Sequence, residues 1–429
     1  MNTATIPQTT GADRQITPSW VGRIGRRMLL TRLADFAQGE LVVRDGTETL
    51  RFGTITESCP ISVELEVLDG RFWGDAAFGG SVGAAEAYIR GYWRTSDLTG
   101  LVRLMVRNRA VMDRLEGGTA LLATPLRKLL HFANRNTRRG AERNIAAHYD
   151  LGNDFFALFL DPTMAYSCAI YPSPQSSLEE ASLAKFDVVC RKLDLRAGEH
   201  LLEIGTGWGG LAIHAARHYG VQVTTTTISN EQYEHARAAV ESAGLSDRIT
   251  LLRQDYRELR GIYDKVVSIE MVEAVGHQFL EGYFRVLSAL TRAEGLVLLQ
   301  AITIQDQMYE YALNSVDFIQ RYVFPGGFVP SVTTLLAAAT RATDMKLFHL
   351  EDIGPHYART LRDWRHNLAA NAQRARALGC TEEFLRLWEY YLSYCEGGYE
   401  ERQLGNVHLL FTKPRCQRSP LVSALHAPE

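Results

Sequence analysis

The 429-residue chain holds no apolar run near the roughly eighteen residues that a membrane-spanning helix needs, so no transmembrane helix is expected. Its opening, MNTATIPQTTGADRQ, lacks a charged segment followed by an apolar stretch, so no secretory signal is expected either. Cysteine is scarce and scattered: Cys59, Cys168, Cys190, Cys380, Cys395 and Cys416 form no CxxC pair. That argues against a disulfide framework and a zinc site, and points to reduced thiols in a cytoplasmic protein. An excess of charge of either sign is lacking. The 46 Lys and Arg nearly balance the 49 Asp and Glu, leaving a net charge of −3 and nothing global to draw the chain to nucleic acid. Internal repeats and low-complexity tracts are absent. What is present is ordinary globular composition, 46% hydrophobic, enough to bury one large core or two ordinary ones.

Residues 1–36 read as a loose tail and an amphipathic helix. In SWVGRIGRRMLLTRLADF, Trp20, Ile24, Met28 and Leu29 lie near one face, with Arg23, Arg26, Arg27 and Arg32 beside or opposite them. A packing helix is the expectation, and contact with an anionic membrane surface is the alternative. Residues 37–115 read as a small α+β domain. Strands are expected in LVVRDG, LRFGTIT and ISVELEVLDGRFW, then a glycine-rich break, FGGSVGAAEAYIRGYW, then a helical stretch near 98–115. Residues 116–145 read as a basic linker. It carries Arg127, Lys128, Arg135, Arg138, Arg139 and Arg143 against Glu142, which suits a solvated face or docking on anionic headgroups.

From about 177 the pattern changes. Ser177 and Glu180 make a capping-box signature. HLLEIG, VQVTTTTI, ITLLRQD, YDKVVSIE and GLVLLQAIT then alternate as strands with helical segments, which argues for a parallel, doubly wound sheet. A mostly helical, aromatic-rich insertion is expected at about 304–400, and NVHLLFTKP at 406–414 is expected as a last strand. Gly205, Gly207 and Gly210 satisfy G-x-G-x-x-G after a strand and before a helix. On its own this loop suits a dinucleotide enzyme equally well. Glu203, two residues before the first glycine, favours a cationic amine over a pyrophosphate. The second strand ends in TTTTIS with no acid for a ribose, and Gln232 is the nearest ribose partner.

Seven blocks in order carry a resemblance: HYDLGNDFFALFLDPTMAYSCAIY, SLEEASLAKFDVVCRKLDL, LLEIGTGWGG, TISNEQ, QDYREL, YDKVVSIEMVEAVG and DFIQRYVFPGGFVPS. They resemble the cyclopropane-fatty-acyl-phospholipid synthase family, which includes the mycolic acid methyltransferases, over roughly residues 145–414. GYWRTSDLTGLV resembles the extra N-terminal domain of the longer members. The resemblance implies a class I methyltransferase fold of the α/β class, a seven-stranded doubly wound sheet with a helical insertion at about 304–400 in a domain spanning 146–414, beside the small N-terminal α+β domain. It places Tyr149, Tyr166, Ser167, Gly205, Gly207, Thr227, Gln232, Asp255 and Tyr256 around S-adenosylmethionine, and Glu203 joins them from the residue reading above. It also gives bicarbonate to Cys168, Glu273, Ile302 and Tyr357, the first and third through the backbone. Gln300 stands where many members carry a bicarbonate-contacting His, and Ala274 replaces another common His. Gln donates a hydrogen bond but does not titrate. A homodimer and a membrane-peripheral location on phospholipid acyl chains are further implications.

The implied chemistry is methyl transfer to an alkene, a carbocation on the acyl chain, and removal of a proton by a base. Phe318, Tyr322, Phe324 and Phe328 are candidates for cation-stabilising rings or for plain channel lining. Cyclopropane is the expected product. A methyl- or methylene-branched chain, finished by a partner redox enzyme, is the alternative. An inactive lipid-binding relative and a nicotinamide dehydrogenase are the readings from other classes.

Overall fold

The computed structural model describes residues 20–111 and 152–421, in two compact units that divide between Leu121 and Leu122. The basic linker expected at 116–145, and Tyr149, lie outside the described residues. No described helix is long and apolar enough to cross a membrane. All six cysteines are free.

Among its described residues, the first unit is a four-stranded sheet with three helices. Strands β1 (Gly39–Asp45) and β2 (Glu48–Thr54) form an antiparallel hairpin across the expected Asp45–Gly46 turn, where Gly46 takes φ +61°. Strand β3 (Ser62–Val67) runs parallel to β1, and β4 (Trp93–Thr95) closes the order β2-β1-β3-β4. Helix α1 (Trp20–Leu33) packs through Gly22, Gly25, Leu29 and Leu33. The apolar face expected at Trp20 and Ile24 is exposed instead, at 68% and 46%. The reason is close approach: a Cβ on Gly25 would lie 2.4 Å from the Trp73 carbonyl oxygen, so the glycine side meets the neighbouring helix. That neighbour, α2 (Arg71–Ile89), replaces the expected glycine-rich break. It bends at Gly80 (φ +62°) and buries its small residues. Phe72 and Trp73, expected at the end of a strand, belong to α2. Helix α3 (Leu98–Arg107) starts on Asp97, whose carboxylate accepts from Gly100 N.

The second unit is the doubly wound sheet. Its strands are β5 (His200–Ile204), β6 (Gln222–Thr227), β7 (Ile249–Arg253), β8 (Tyr263–Ile269), β9 (Thr291–Ile304), β10 (Lys346–Asp352) and β11 (Leu404–Thr412), in the order β10-β11-β9-β8-β5-β6-β7. The five strands β7-β6-β5-β8-β9 pair in parallel, and β11 runs antiparallel between β9 and β10. Their apolar runs are buried on both faces, as parallel strands require. Helices α4 (Asn153–Phe156), α5 (Leu178–Lys192), α6 (Gly210–Tyr219), α7 (Asn230–Ser242) and α8 (Leu280–Leu290) precede or connect the strands. Helix α5 opens with the expected capping box between Ser177 and Glu180. The insertion adds α9 (Asp306–Leu313), α10 (Phe318–Tyr322), α11 (Val332–Ala342), α12 (Gly354–Ala370), α13 (Ala372–Ala377) and α14 (Glu382–Glu400). It is not wholly helical, because it also supplies the edge strand β10.

Candidate active site

Ligands of an open parallel sheet bind beyond the carboxyl ends of its strands, and the expected residues gather there. Gly205, Gly207 and Gly209 follow β5 with φ of +100°, +54° and +94°, a run that side chains with a Cβ resist. The space that a Cβ on Gly207 would enter is open. Gly210 begins α6 against the Thr163 carbonyl and the Phe186 ring, which a Cβ would meet at 2.8 and 3.0 Å. Thr227, at the end of β6, donates through its hydroxyl to Gln232 Oε1 at 2.8 Å, and α7 is capped by Ser229. Asp255 follows β7, paired with Arg257 at 2.5 Å. The ring of Tyr256 lies 5.4 Å from that of Tyr283. Open space over Gly207 in the glycine turn, a bonded Thr–Gln pair and an acid after β7 fit an adenosyl amino acid.

Glu203 lies on β5, two residues before the glycine turn. It is buried, and its Oε2 accepts from Thr225 Oγ1 at 2.6 Å, with Thr206 Oγ1 2.8 Å from that same hydroxyl. Burial pushes its carboxyl up to about 8, against the pull of Thr225 and Lys185. The fold then holds a proton that the unfolded chain has released, so stability falls as pH rises from the usual 4.5 to about 8. Glu203→Gln keeps an acceptor for Thr225 and removes this penalty. Its melting temperature should match the parent at about pH 5 and exceed it by roughly 3–8 °C at about pH 8. Thermal melts across that range check this, and a gap that does not grow with pH would contradict it.

The second cluster forms where β8, β9 and β11 end or begin. Cys168 N, Gln300 Nε2 and Asn406 Nδ2 all donate to one oxygen of Glu270, at 2.9, 2.8 and 2.6 Å. The Tyr357 hydroxyl donates to the other at 2.7 Å. Ile302 N donates to Glu273 Oε1 at 2.5 Å, while the buried Glu273 Oε2 has no partner among the described residues. Desolvation, then the charge of Glu270, raises Glu273 to about 8. Burial first, then the Glu270 charge, keeps the Tyr357 phenol protonated.

Gln300 is oriented from behind. Its register partner on β11 is His408, which is fully buried. Lys192 Nζ lies 2.8 Å from His408 Nδ1 and has only protons to offer, so Nδ1 accepts. Nε2 therefore carries the ring proton and donates to Gln300 Oε1 at 2.9 Å, which turns the amide NH₂ toward Glu270. Burial lowers the His408 pKa well below its usual value and keeps the ring neutral. Lys192 is anchored in turn by Glu351.

Bicarbonate does not fit this arrangement. The Cys168 amide, the Tyr357 hydroxyl and the Gln300 amide are engaged by Glu270, and the Ile302 amide by Glu273. The implied donor set is spent on the chain's own carboxylates.

An aromatic wall stands beside these acids. Tyr166 meets Trp364 at 5.1 Å between centroids, and its hydroxyl is 3.0 Å from that of Tyr391. Trp388 packs on Tyr391 at 5.4 Å, and Tyr357 lies 4.7 Å from Tyr399. Of the rings expected to stabilise a cation, Phe324 reaches Tyr391 at 6.1 Å. Phe318 is buried against Tyr390, and Phe328 is buried in the sheet core with His277 beside it. Ser167 accepts from the buried Lys185 at 2.9 Å. The sequence reading missed Glu270, Lys185, Asn406 and His408. The one available signal was Glu270 itself, a second acid just past a strand end and three residues before Glu273.

Residues 136–409 match the family model described as mycolic acid cyclopropane synthetase. The chain is 37% identical to the tuberculostearic acid methyltransferase UfaA1 of Mycobacterium tuberculosis, over 76% of this chain and 77% of that one. It is 34% identical to the cyclopropane-fatty-acyl-phospholipid synthase of Escherichia coli strain K12, over 78% and 84%. The mycolic acid cyclopropane synthase CmaA1, solved with SAH and CTAB, superposes with a TM-score of 0.60 at 32% identity, over 63% of this chain and 98% of that one. With the sheet order, the glycine turn and these likenesses together, the chain belongs to the mycolic acid cyclopropane synthetase family and is an S-adenosylmethionine-dependent methyltransferase of the cyclopropane-fatty-acyl-phospholipid synthase type.

Proposed function

We propose that the chain methylates a double bond in the acyl chain of an unsaturated phospholipid and closes a cyclopropane ring there. The observation that carries this is the pairing of two partly or wholly buried carboxyls, Glu270 and Glu273, with an aromatic wall beside the glycine turn. S-adenosylmethionine, when bound, supplies an electrophilic methyl group that an isolated alkene can attack. The chain's residues do the rest. Tyr166, half-buried and backed by the buried Trp364, Trp388 and Tyr391, offers a π face that favours positive charge developing on the acyl chain. Their bulk keeps out water, which would trap that charge as an alcohol. The carboxyls give the leaving proton somewhere to go.

Substrate in a bilayer must be reached from its surface. Helix α1 supports this, since it exposes Trp20 and Ile24 beside the exposed Arg23 and Arg27. This suits peripheral attachment to an anionic, cytoplasmic-side membrane.

A second reading, a methyl- or methylene-branched product, is favoured by the name of the tuberculostearic acid methyltransferase among the similar proteins. Proton NMR of lipid recovered after reaction with monounsaturated phospholipid vesicles separates the two. High-field ring-proton signals are expected. Vinylidene or new methyl signals would replace ring closure by branching, and neither would sink both readings.

A further inference from the structure

The geometry assigns to Glu270 the place and the task that a bound bicarbonate would have: it is the chain's own general base. This rests on the lipid-methylation reading above and deepens it.

Four observations carry it. First, donors from four separate segments converge on this one carboxylate: Cys168 N, Gln300 Nε2, Asn406 Nδ2 and Tyr357 OH. Two of them belong to the set that the family resemblance gives to an anion. Second, the backbone of Glu270 sits at φ +47°, in the left-handed region that disfavours a residue with a Cβ. Such strain persists where the surroundings over-determine it, and it concentrates at working sites. Third, Glu270 is only half-buried although Cys168, Gln300 and Asn406 around it are fully buried. Fourth, among the described residues Oε1 takes three donors and Oε2 the Tyr357 hydroxyl alone, which leaves Oε2 the freer oxygen to accept a proton.

The step balances without a co-reactant. The alkene π pair forms the new C–C bond while the S–CH₃ pair stays on sulfur, leaving a cationic carbon on the acyl chain. Glu270 Oε2 takes a proton from the new methyl group. The C–H pair closes the bond to the cationic carbon, and the proton later leaves for solvent. Tyr357 and Gln300 are positioning residues in this account. They hold the carboxylate without exchanging protons with substrate.

The test pairs Glu270→Gly with Glu270→Gln. Glycine relieves φ +47°, so that variant keeps its fold, and it empties the anion's place. Glutamine keeps the shape and removes the base. In carbon dioxide-free buffer the parent should turn over unchanged, whether or not bicarbonate is added. Both variants should lose roughly 10²–10⁴-fold in kcat. Added bicarbonate should restore only Glu270→Gly. A second arm reads binding without turnover: ¹³C-bicarbonate NMR should show saturable binding to Glu270→Gly and none to the parent. A parent that needs or binds bicarbonate, or a Glu270→Gly variant that stays fully active without it, overturns the assignment. A parent that methylates no lipid sinks the functional reading instead, and the binding arm then decides by itself whether Glu270 holds the anion's place.

Discussion

Tyr357→Phe is expected to lower kcat by about 10²-fold or more while leaving the affinity for S-adenosylmethionine unchanged. The phenol is buried, stays protonated, and is the donor that holds the outer oxygen of Glu270, at 2.7 Å. Phenylalanine keeps the ring packed on Tyr399 and edge-to-face with Trp364, so packing survives. What is lost is the aim of one carboxylate. The glycine turn, Thr227 and Gln232 are untouched, so the cofactor sites should titrate as before. Calorimetric titration with S-adenosylhomocysteine, beside kcat and KM for vesicle lipid, checks the split. Equal losses in cofactor affinity and kcat would mean a structural role only, and an unchanged kcat would remove Tyr357 from the site.

His408→Leu is expected to cost roughly 2–4 kcal/mol of stability and most of the activity, although His408 lies one residue behind the acids. It leaves Gln300 Oε1 without its donor and removes one partner of the buried Lys192 amine. With nothing fixing the amide, Gln300 is free to flip and present oxygen to the Glu270 carboxylate. The double variant His408→Leu/Gln300→Leu separates the two effects. Replacing both partners by apolar groups removes the orphaned acceptor, so much of the stability should return. The amide that donates to Glu270 is still missing, so kcat should stay low. Denaturant unfolding and kcat on the same three proteins decide this. If activity returned together with stability, Gln300 would be a packing residue.

The parts of this molecule that repeat locally were legible in the sequence. The glycine turn and the β5–β9 alternation announce themselves within windows of a dozen residues, because hydrophobic period and turn chemistry are local. Strand β10 was not legible: KLFHLED lies on the sheet edge and is largely exposed, so it carries no apolar run. Helix α2 was misread because GGSVG looks like a break. Gly80 makes the bend, and Gly83 is there for packing, since a Cβ on it would come within 2.0 Å of the Asp75 carbonyl. The site was half legible. Glu273 stood out as an acid past a strand end. The role of Glu270 depends on Cys168, Gln300, Tyr357 and Asn406, which lie 102, 30, 87 and 136 residues away. No local pattern records that convergence. The direction of the Gln300 amide was hidden for the same reason, being set by His408 on a strand 108 residues further on.

The central claim is that a methyl carbon moves from S-adenosylmethionine onto an acyl double bond. The most direct measurement gives the purified chain S-adenosylmethionine labelled with ¹³C in its methyl group, and vesicles of monounsaturated or fully saturated phospholipid. The acyl chains are then weighed by mass spectrometry. The account predicts one labelled CH₂ gained per S-adenosylhomocysteine released, in the monounsaturated chains alone. Label in the headgroup, or cofactor consumed with every acyl chain unchanged, would contradict it.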